Sequence, residues 1–295
     1  MGSVYAGILG DAGNEVWAVD VWTEHVEAIR TRGLVVEGAS GSRTARIHAT
    51  TDSGDVGVCD LVVIATKAMH VEAAATAAGP LLGPDTVVLP IQNGLGSADR
   101  IAAVLGEERV AIGVAGGFGA SIVGPGHVHH DGWELVRLGE RHGPATARIE
   151  RIAKTWADAG FRVQVYDDVD QLVWEKLVCN VCFSATCAIL ERTIGGVLDD
   201  AAAWRVASRC AQEAYDVARA RGIRLGFDDP VAYTRSFGEK IRDARPSMLL
   251  DLLAGRPCEI DAINGAIPPA AREVGLAAPV NETVSALVRA KSARP

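Results

Sequence analysis

Cysteine is scarce. Cys59, Cys179, Cys182, Cys187, Cys210 and Cys258 are the six in 295 residues, too few and too scattered for a disulfide framework. Cys179 and Cys182 form one CxxC, but it lies in an apolar helical pattern with no second CxxC and no nearby histidine to complete a zinc site. Buried free thiols are expected there. Positive charge is also in short supply: 29 Lys and Arg face 37 Asp and Glu, a net charge of −8. A protein that neutralises phosphate backbones needs the opposite balance, so nucleic acid is not an expected partner. Long apolar runs are missing as well, since Asn180 and Ser184 interrupt the longest, 178–190, short of the roughly 18 residues of a membrane span. The first residues lack the basic-then-apolar order of a secretory leader. What remains is 48% hydrophobic and 22% charged, the mix of a soluble, cytoplasmic protein with core enough for two domains and no membrane partner.

Along the chain, short runs that are apolar at every position alternate with helical patterns. A helix over 2–12 stops at Gly13-Asn14, an apolar run 16–20 ends in Asp20, and Thr23 reads as the N-cap of a helix to Arg30 with Gly33 beyond it. Two β-rich pieces, 34–37 and 44–48, come next. Strands at 61–65, 86–91 and 110–114 alternate with helices at 71–78 and from Ser97. Strands apolar throughout are buried on both faces, and their alternation with helices implies a parallel sheet. After the Gly-rich stretch 113–126, the pieces at 127–130 and 133–138 read as antiparallel additions at one edge. Beyond Asp167-Asp168 the patterns are helical: 171–190, 199–221, 230–241, 247–254, 259–274 and 281–290, with Pro268-Pro269 kinking or dividing one of them. The expectation is an α/β domain over 1–166 and an all-helical domain over 167–295.

In an open parallel sheet, ligands bind at the carboxyl ends of the strands, and the first helix N-terminus attracts anions. Gly2 at the start of the first helix and Asp20 at the end of the next strand are two features that a dinucleotide fold needs. A plain helix followed by a strand with an acid at its end describes them equally well. If the site is real, a carboxylate at Asp20 accepts the adenosine ribose hydroxyls and repels a 2′-phosphate. Val21, Trp22 and Thr23 bring no compensating cation, which favours NAD(H) over NADP(H).

In the second half, Lys176, Asn180 and Ser184 recur every fourth residue among Leu177, Val178, Val181, Cys182 and Phe183, so they share one helix face. An ordinary solvent face would carry more charges than a lysine, an amide and a hydroxyl. All three can bond a small polar ligand, although a snorkelling surface lysine is the alternative. Desolvation would lower the lysine's pKa and make it a usable proton donor. Glu259, in an apolar helical context, is the carboxylate that could fix such an amine, or simply a first-turn acid after Pro257 that suits the helix dipole. His127, His129 and His130 lack the company of further ligands and read as alternating strand residues, not a metal site. Gly117-Phe118-Gly119 precedes no helical pattern and is no phosphate loop.

Taken in order, Ala65-Thr66-Lys67-Ala68, Gln92-Asn93-Gly94-Leu95-Gly96, Trp174-Glu175-Lys176-Leu177 with Asn180 and Ser184, Pro246-Ser247-Met248, Glu259-Ile260-Asp261-Ala262-Ile263-Asn264-Gly265 and Pro279-Val280-Asn281 resemble the ketopantoate reductase (2-dehydropantoate 2-reductase) family. The resemblance runs from residue 1 to the last helix. It implies a Rossmann-type, mostly parallel sheet followed by a helical domain, with the active site between them. It also implies that the sheet's first strand and the first two glycines of the dinucleotide loop would precede Met1. By the same resemblance Lys176 is the general acid that protonates a ketone oxygen as hydride arrives, and Glu259 positions that amine or the substrate hydroxyl. Asn93, Asn180, Ser184 and Ser247 hold substrate, Asn93 also touches the cofactor, and Gly2, Asp20 and Lys67 lie on the cofactor side. Ser184 stands where many members carry Asn, and Asp20 replaces the basic residue that usually selects NADPH, so NADP(H) is implied by the family and NAD(H) by this chain.

The implied activity is reduction of a small 2-oxo acid, ketopantoate first, with another 2-oxo acid as the near alternative. A non-catalytic NAD-binding protein is the alternative of a different class. The helical domain is compatible with a homodimer, but no face for one is legible.

Overall fold

A computed structural model of the chain describes residues 1–117, 119–132 and 135–292. Phe118 of the Gly117-Phe118-Gly119 stretch and Trp133-Glu134 of the piece at 133–138 lie outside the described residues. The chain divides into two compact units. One comprises Met1–Gln92 and Ser97–Val169, the other Asn93–Gly96 and Asp170–Pro295.

The first unit contains α1 (Gly2–Asp11), β1 (Trp17–Val19), α2 (Thr23–Arg32), β2 (Leu34–Gly38), β3 (Arg43–Ala45), β4 (His48–Thr50), β5 (Cys59–Ile64), α3 (Val71–Ala77), β6 (Leu82–Pro90), α4 (Ser97–Leu105), β7 (Ala111–Gly116), β8 (Gly119–Gly124), β9 (His127–Gly132), β10 (Leu135–Glu140), α5 (Ala147–Asp158) and β11 (Val163–Val165). Parallel pairs form between β1 and β4, β5 and β6, β2 and β9, and β10 and β11. Leu61 lies opposite Val87 and Val63 opposite Leu89, and 86–90 is buried at every position, as a strand covered on both faces must be. Helix α1 lies close against the strands. A Cβ at Gly7 would come within 2.5 Å of Val36, and one at Gly10 within 2.2 Å of Ile47.

Several expectations are corrected here. Trp22, not Thr23, occupies the N-cap of α2, and the Asp20 carboxylate instead accepts the Trp22 N–H at 2.9 Å. The 44–48 piece breaks into β3 and β4 at Arg46-Ile47. The added strands are antiparallel on one side only. β9 runs antiparallel to β8 but parallel to β2, and β10 antiparallel to β7 but parallel to β11, because the Gly-rich stretch itself supplies β8 and part of β7. Helix α5 went unforeseen although Ile149, Ile152, Ala153 and Trp156 recur at helical spacing; they are buried, with Trp156 against Tyr5 and Phe161.

The second unit contains α6 (Val169–Leu190, its first residue shared with the other unit), α7 (Ile194–Leu198), α8 (Ala201–Ala220), α9 (Pro230–Lys240), α10 (Ser247–Leu253), α11 (Ile267–Glu273) and α12 (Pro279–Ser292). By length and composition α6 could cross a membrane, contrary to the expectation from 178–190, yet it is mostly buried as the core helix of this unit. The helix expected over 259–274 is a second correction. Residues 256–263 are irregular, and regular helix starts at Ile267 with Pro268 and Pro269 in its first turn, where a missing N–H costs nothing. Glu259 is therefore no first-turn acid.

Two buried histidines make stability sensitive to mild acid. His25 Nδ1 accepts the Gly126 N–H at 3.0 Å, so Nε2 carries the proton and faces Ser3 Oγ at 3.2 Å. Burial lowers the pKa of both His25 and His130. The unfolded chain takes up these protons near pH 6.5 while the folded chain resists, so stability is fully present above 6.5 and is lost as pH falls toward the folded values. Urea midpoints should decline from pH 7 to pH 5, by at most about 1.4 kcal/mol per pH unit per histidine. His25→Gln should flatten the slope, and an unchanged slope would show that His25 is not held neutral.

Candidate active site

Within the helical unit, α6 presents the polar residues singled out by spacing. Lys176 and Asn180 are half-buried and Ser184 is buried, while Leu177, Val178, Val181, Cys182 and Phe183 around them enter the core. The stripe is thus not an ordinary solvent face. The helix is pinned nearby: Glu175 Oε1 accepts the Gln171 side-chain amide at 2.8 Å and the Gly226 N–H at 2.7 Å, and the Arg221 guanidinium lies over the Trp174 ring at 5.9 Å. Burial pushes the Cys179 and Cys187 thiols up to about 12 and the Cys182 thiol well above its ordinary value. None of these offers a thiolate nucleophile near neutral pH.

Glu259, half-buried, opens a compact turn. Its carbonyl accepts the N–H groups of Ala262 and Ile263 at 3.1 Å, and the Ile260 carbonyl accepts from Gly265 at 2.8 Å. Against that turn docks the segment Asn93–Gly96. The Leu95 N–H donates to the Ala262 carbonyl at 2.8 Å. Gly94 has φ +87°, and a Cβ there would lie 2.0 Å from the same oxygen, so only glycine permits the approach. On the other side of the turn, Asn264 Nδ2 donates to the Val181 carbonyl of α6 at 2.8 Å. The segment with the half-buried Asn93 and the helix with the stripe are thereby each bonded to the turn that carries Glu259. Ser247 is exposed at the first position of α10, with Met248 and Leu249 behind it in the core.

In the α/β unit, Gly2 opens α1 and would place a Cβ 3.3 Å from that of Ala65, next to the end of β5. No side chain caps the first turn of α1, which leaves it suited to an anion. Asp20 is exposed at the end of β1, and Lys67 is half-buried just beyond β5. A residue that spacing did not flag holds this loop: Gln92 Nε2 donates to the carbonyls of Ile64 at 2.6 Å and Thr66 at 3.1 Å. Its sequence signals are an amide directly after an apolar strand and its place at the head of the Gln92-Asn93-Gly94-Leu95-Gly96 stretch. An uncapped helix start beside a small residue, and an exposed carboxylate at a strand end, fit the phosphate and ribose parts of a dinucleotide. The histidines of β9 turn to separate partners: His127 to Glu37 (3.2 Å), His129 to Asp131 (2.8 Å) and His130 to Ser40 (2.9 Å). Among the described residues no group of three or more His, Cys, Asp or Glu is placed to hold a metal.

Known proteins resemble the chain over nearly all of its length. Residues 1–143 match the family model described as ketopantoate reductase PanE/ApbA, and residues 168–292 match that of its C-terminal part. A 2-dehydropantoate 2-reductase of Halobacterium salinarum is 30% identical over 290 residues, covering 98% of this chain and 95% of the relative. Among solved structures, a PanE/ApbA family ketopantoate reductase from Ralstonia eutropha JMP134 superposes with a TM-score of 0.89 at 32% identity, covering 98% of this chain and 94% of the other. A D-mandelate dehydrogenase in ternary complex with NADH and anilino(oxo)acetate superposes with a TM-score of 0.90 at 28% identity, with coverage of 98% and 94%.

Proposed function

Since the chain belongs to the ketopantoate reductase family, whose members are NAD(P)-dependent oxidoreductases, we propose that it reduces a small 2-oxo acid, ketopantoate first, with Lys176 as the general acid. The observation that carries this reading is the half-buried lysine on α6, tied through the Asn264–Val181 bond to the turn that bears Glu259.

A nicotinamide dinucleotide, when bound, would supply the hydride. As the carbonyl carbon accepts it, charge develops on the ketone oxygen, and the Lys176 ammonium stabilises that charge and then donates its proton there. Glu259 orients the amine or the product hydroxyl. Asn93, Asn180, Ser184 and Ser247 bond the polar groups of the substrate, Asn93 also reaching the cofactor. Gly2 lets the phosphates approach the start of α1, Lys67 adds a cation on that side, and Asp20 accepts the ribose hydroxyls. The core position of α6 suits a soluble enzyme.

One observation and the family resemblance favour a second reading, reduction of a different 2-oxo acid. One structural neighbour is a D-mandelate dehydrogenase, and Ser184 offers a short hydroxyl where many family members have an amide. A panel of ketopantoate, phenylglyoxylate and aliphatic 2-oxo acids, each with NADH and NADPH, separates the readings. Ketopantoate should give the highest kcat/KM, with NADH preferred over NADPH by at least about tenfold because the Asp20 carboxylate repels a 2′-phosphate. A preference for phenylglyoxylate would install the second reading, and a preference for NADPH would remove the role given to Asp20.

A further inference from the structure

Behind the stripe on α6 lies a buried polar chain that the chemistry above does not use. Asn264, Asn281 and Glu213 are all fully or almost fully buried. From one nitrogen, Asn264 Nδ2 donates to the Val181 carbonyl at 2.8 Å and to Asn281 Oδ1 at 3.0 Å. Asn281 Nδ2 in turn donates to the Cys210 carbonyl at 3.0 Å and to Glu213 Oε2 at 2.9 Å. The Glu213 carboxylate also accepts the N–H groups of Val280 and Asn281, each at 3.0 Å, so a side chain of α8 satisfies the first turn of α12. The chain therefore runs from α8 through α12 and Asn264 to α6.

Its inner end falls at a telling place. Val181 follows Asn180 directly and lies between Lys176 and Ser184, and Asn264 belongs to the turn that begins at Glu259. Val181 sits inside a regular helix, where its carbonyl already has an intrahelical partner, so α6 does not need the amide. Asn264 itself is poorly served, because its Oδ1 is buried without a partner. An apolar side chain of similar size would remove that unmet acceptor but leave Asn281 Oδ1 without its donor, so the exchange is close to even in stability. Stability alone does not account for an amide at this position. Two bonds diverging from one nitrogen do supply direction, and buried polar chains specify geometry in this way.

We infer that Asn264 is a positioning residue that fixes the helix bearing Lys176 against the turn bearing Glu259, with Asn281 and Glu213 holding Asn264 in place. The chemical roles of Lys176 and Glu259 rest on the reductase reading above. Asn264→Leu removes both bonds and the unmet Oδ1 but leaves the buried Asn281 Oδ1 without its donor, so the protein should stay folded with only a small change in Tm. With the preferred 2-oxo acid, kcat should fall by about 10- to 100-fold while the KM for NADH stays within about twofold, the mark of misplaced groups and not of lost binding. Asn264→Ala should lower kcat likewise, with a lower Tm because it also opens a cavity at a fully buried position. Glu213→Gln, which keeps the side-chain shape, should lower kcat by a smaller factor of about 3 to 10.

A second readout needs no turnover. Acetylation of Lys176 by a small acylating reagent, measured by mass spectrometry relative to the exposed Lys154, should change at least about threefold in the Asn264 variants. Thr193→Ala, which removes the side-chain cap of α7 outside this chain, should leave the ratio as it is. Unchanged kcat or an unchanged ratio overturns the inference, as does a fall in kcat that merely tracks a fall in Tm. If the wild-type protein reduces no 2-oxo acid, the reductase reading fails, and the acetylation ratio alone decides whether Asn264 positions Lys176.

Discussion

Lys176→Ala should lower kcat for 2-oxo acid reduction by about 10²- to 10⁴-fold, the range usually lost with a general acid, while leaving the fold and the KM for the dinucleotide nearly unchanged. The reason is local. The side chain lies half-buried on a helix whose neighbouring residues fill the core, so water cannot readily take the place of a fixed donor at the developing alkoxide. Removing the amine costs little stability, because the group is partly exposed and the helix is anchored through Trp174, Glu175 and Val181. Steady-state kinetics with circular dichroism on the same samples checks both halves. A variant that keeps more than about a tenth of wild-type kcat would move the proton donor elsewhere.

Gly94→Ala should be the most damaging single-methyl change in the helical unit. The new Cβ would lie 2.0 Å from the Ala262 oxygen and 2.5 Å from its carbon, both backbone atoms that no rotamer change can clear. The φ of +87° is itself unfavourable for any side chain, at about 1–2 kcal/mol. Displacing the segment also forfeits the Leu95–Ala262 hydrogen bond, worth about 0.5–1.5 kcal/mol. Together these amount to about 1.5–3.5 kcal/mol, or a Tm lowered by roughly 3–14 °C in a unit of this size. Gly96 is the internal control. Its φ is similar, +84°, but a Cβ there meets nothing within 4 Å, so Gly96→Ala should show the conformational cost alone. If Asn93 belongs to the site, Gly94→Ala should also lose activity well below its melting transition. Equal Tm shifts for the two variants would mean that the docked segment yields without strain.

Much of the architecture was open to a reading of periodicity. Fully apolar runs such as 87–90 report burial on both faces, and four-residue spacing put Lys176, Asn180 and Ser184 on one face of α6, where the structure also has them. What periodicity does not carry is turn chemistry and long-range contact. The segment 259–263 has an apolar pattern that mimics helix, yet it is a turn closed by backbone hydrogen bonds and met by Gly94 from far away in sequence. Only the docked partner reveals why that shape is stable. Gln92 and Asn264 went unassigned for the same reason. Each acts through an amide whose acceptors, Ile64 and Thr66 or Val181, belong to distant segments. Asp20 was legible as an acid ending a short apolar run, but its bond to the Trp22 amide, with Trp22 and not Thr23 at the N-cap, was not.

Direct hydride transfer to a 2-oxo acid, with the proton coming from Lys176, is the proposed reaction. Incubating the wild-type protein with ketopantoate and NADH deuterated at the transferable position, then taking the mass spectrum of the product, tests it most directly. The expected result is pantoate carrying one deuterium on the carbon that bore the ketone, formed in step with NADH consumption and almost absent with Lys176→Ala. Folded wild-type protein that consumes no NADH, or that yields pantoate without the label, would contradict it.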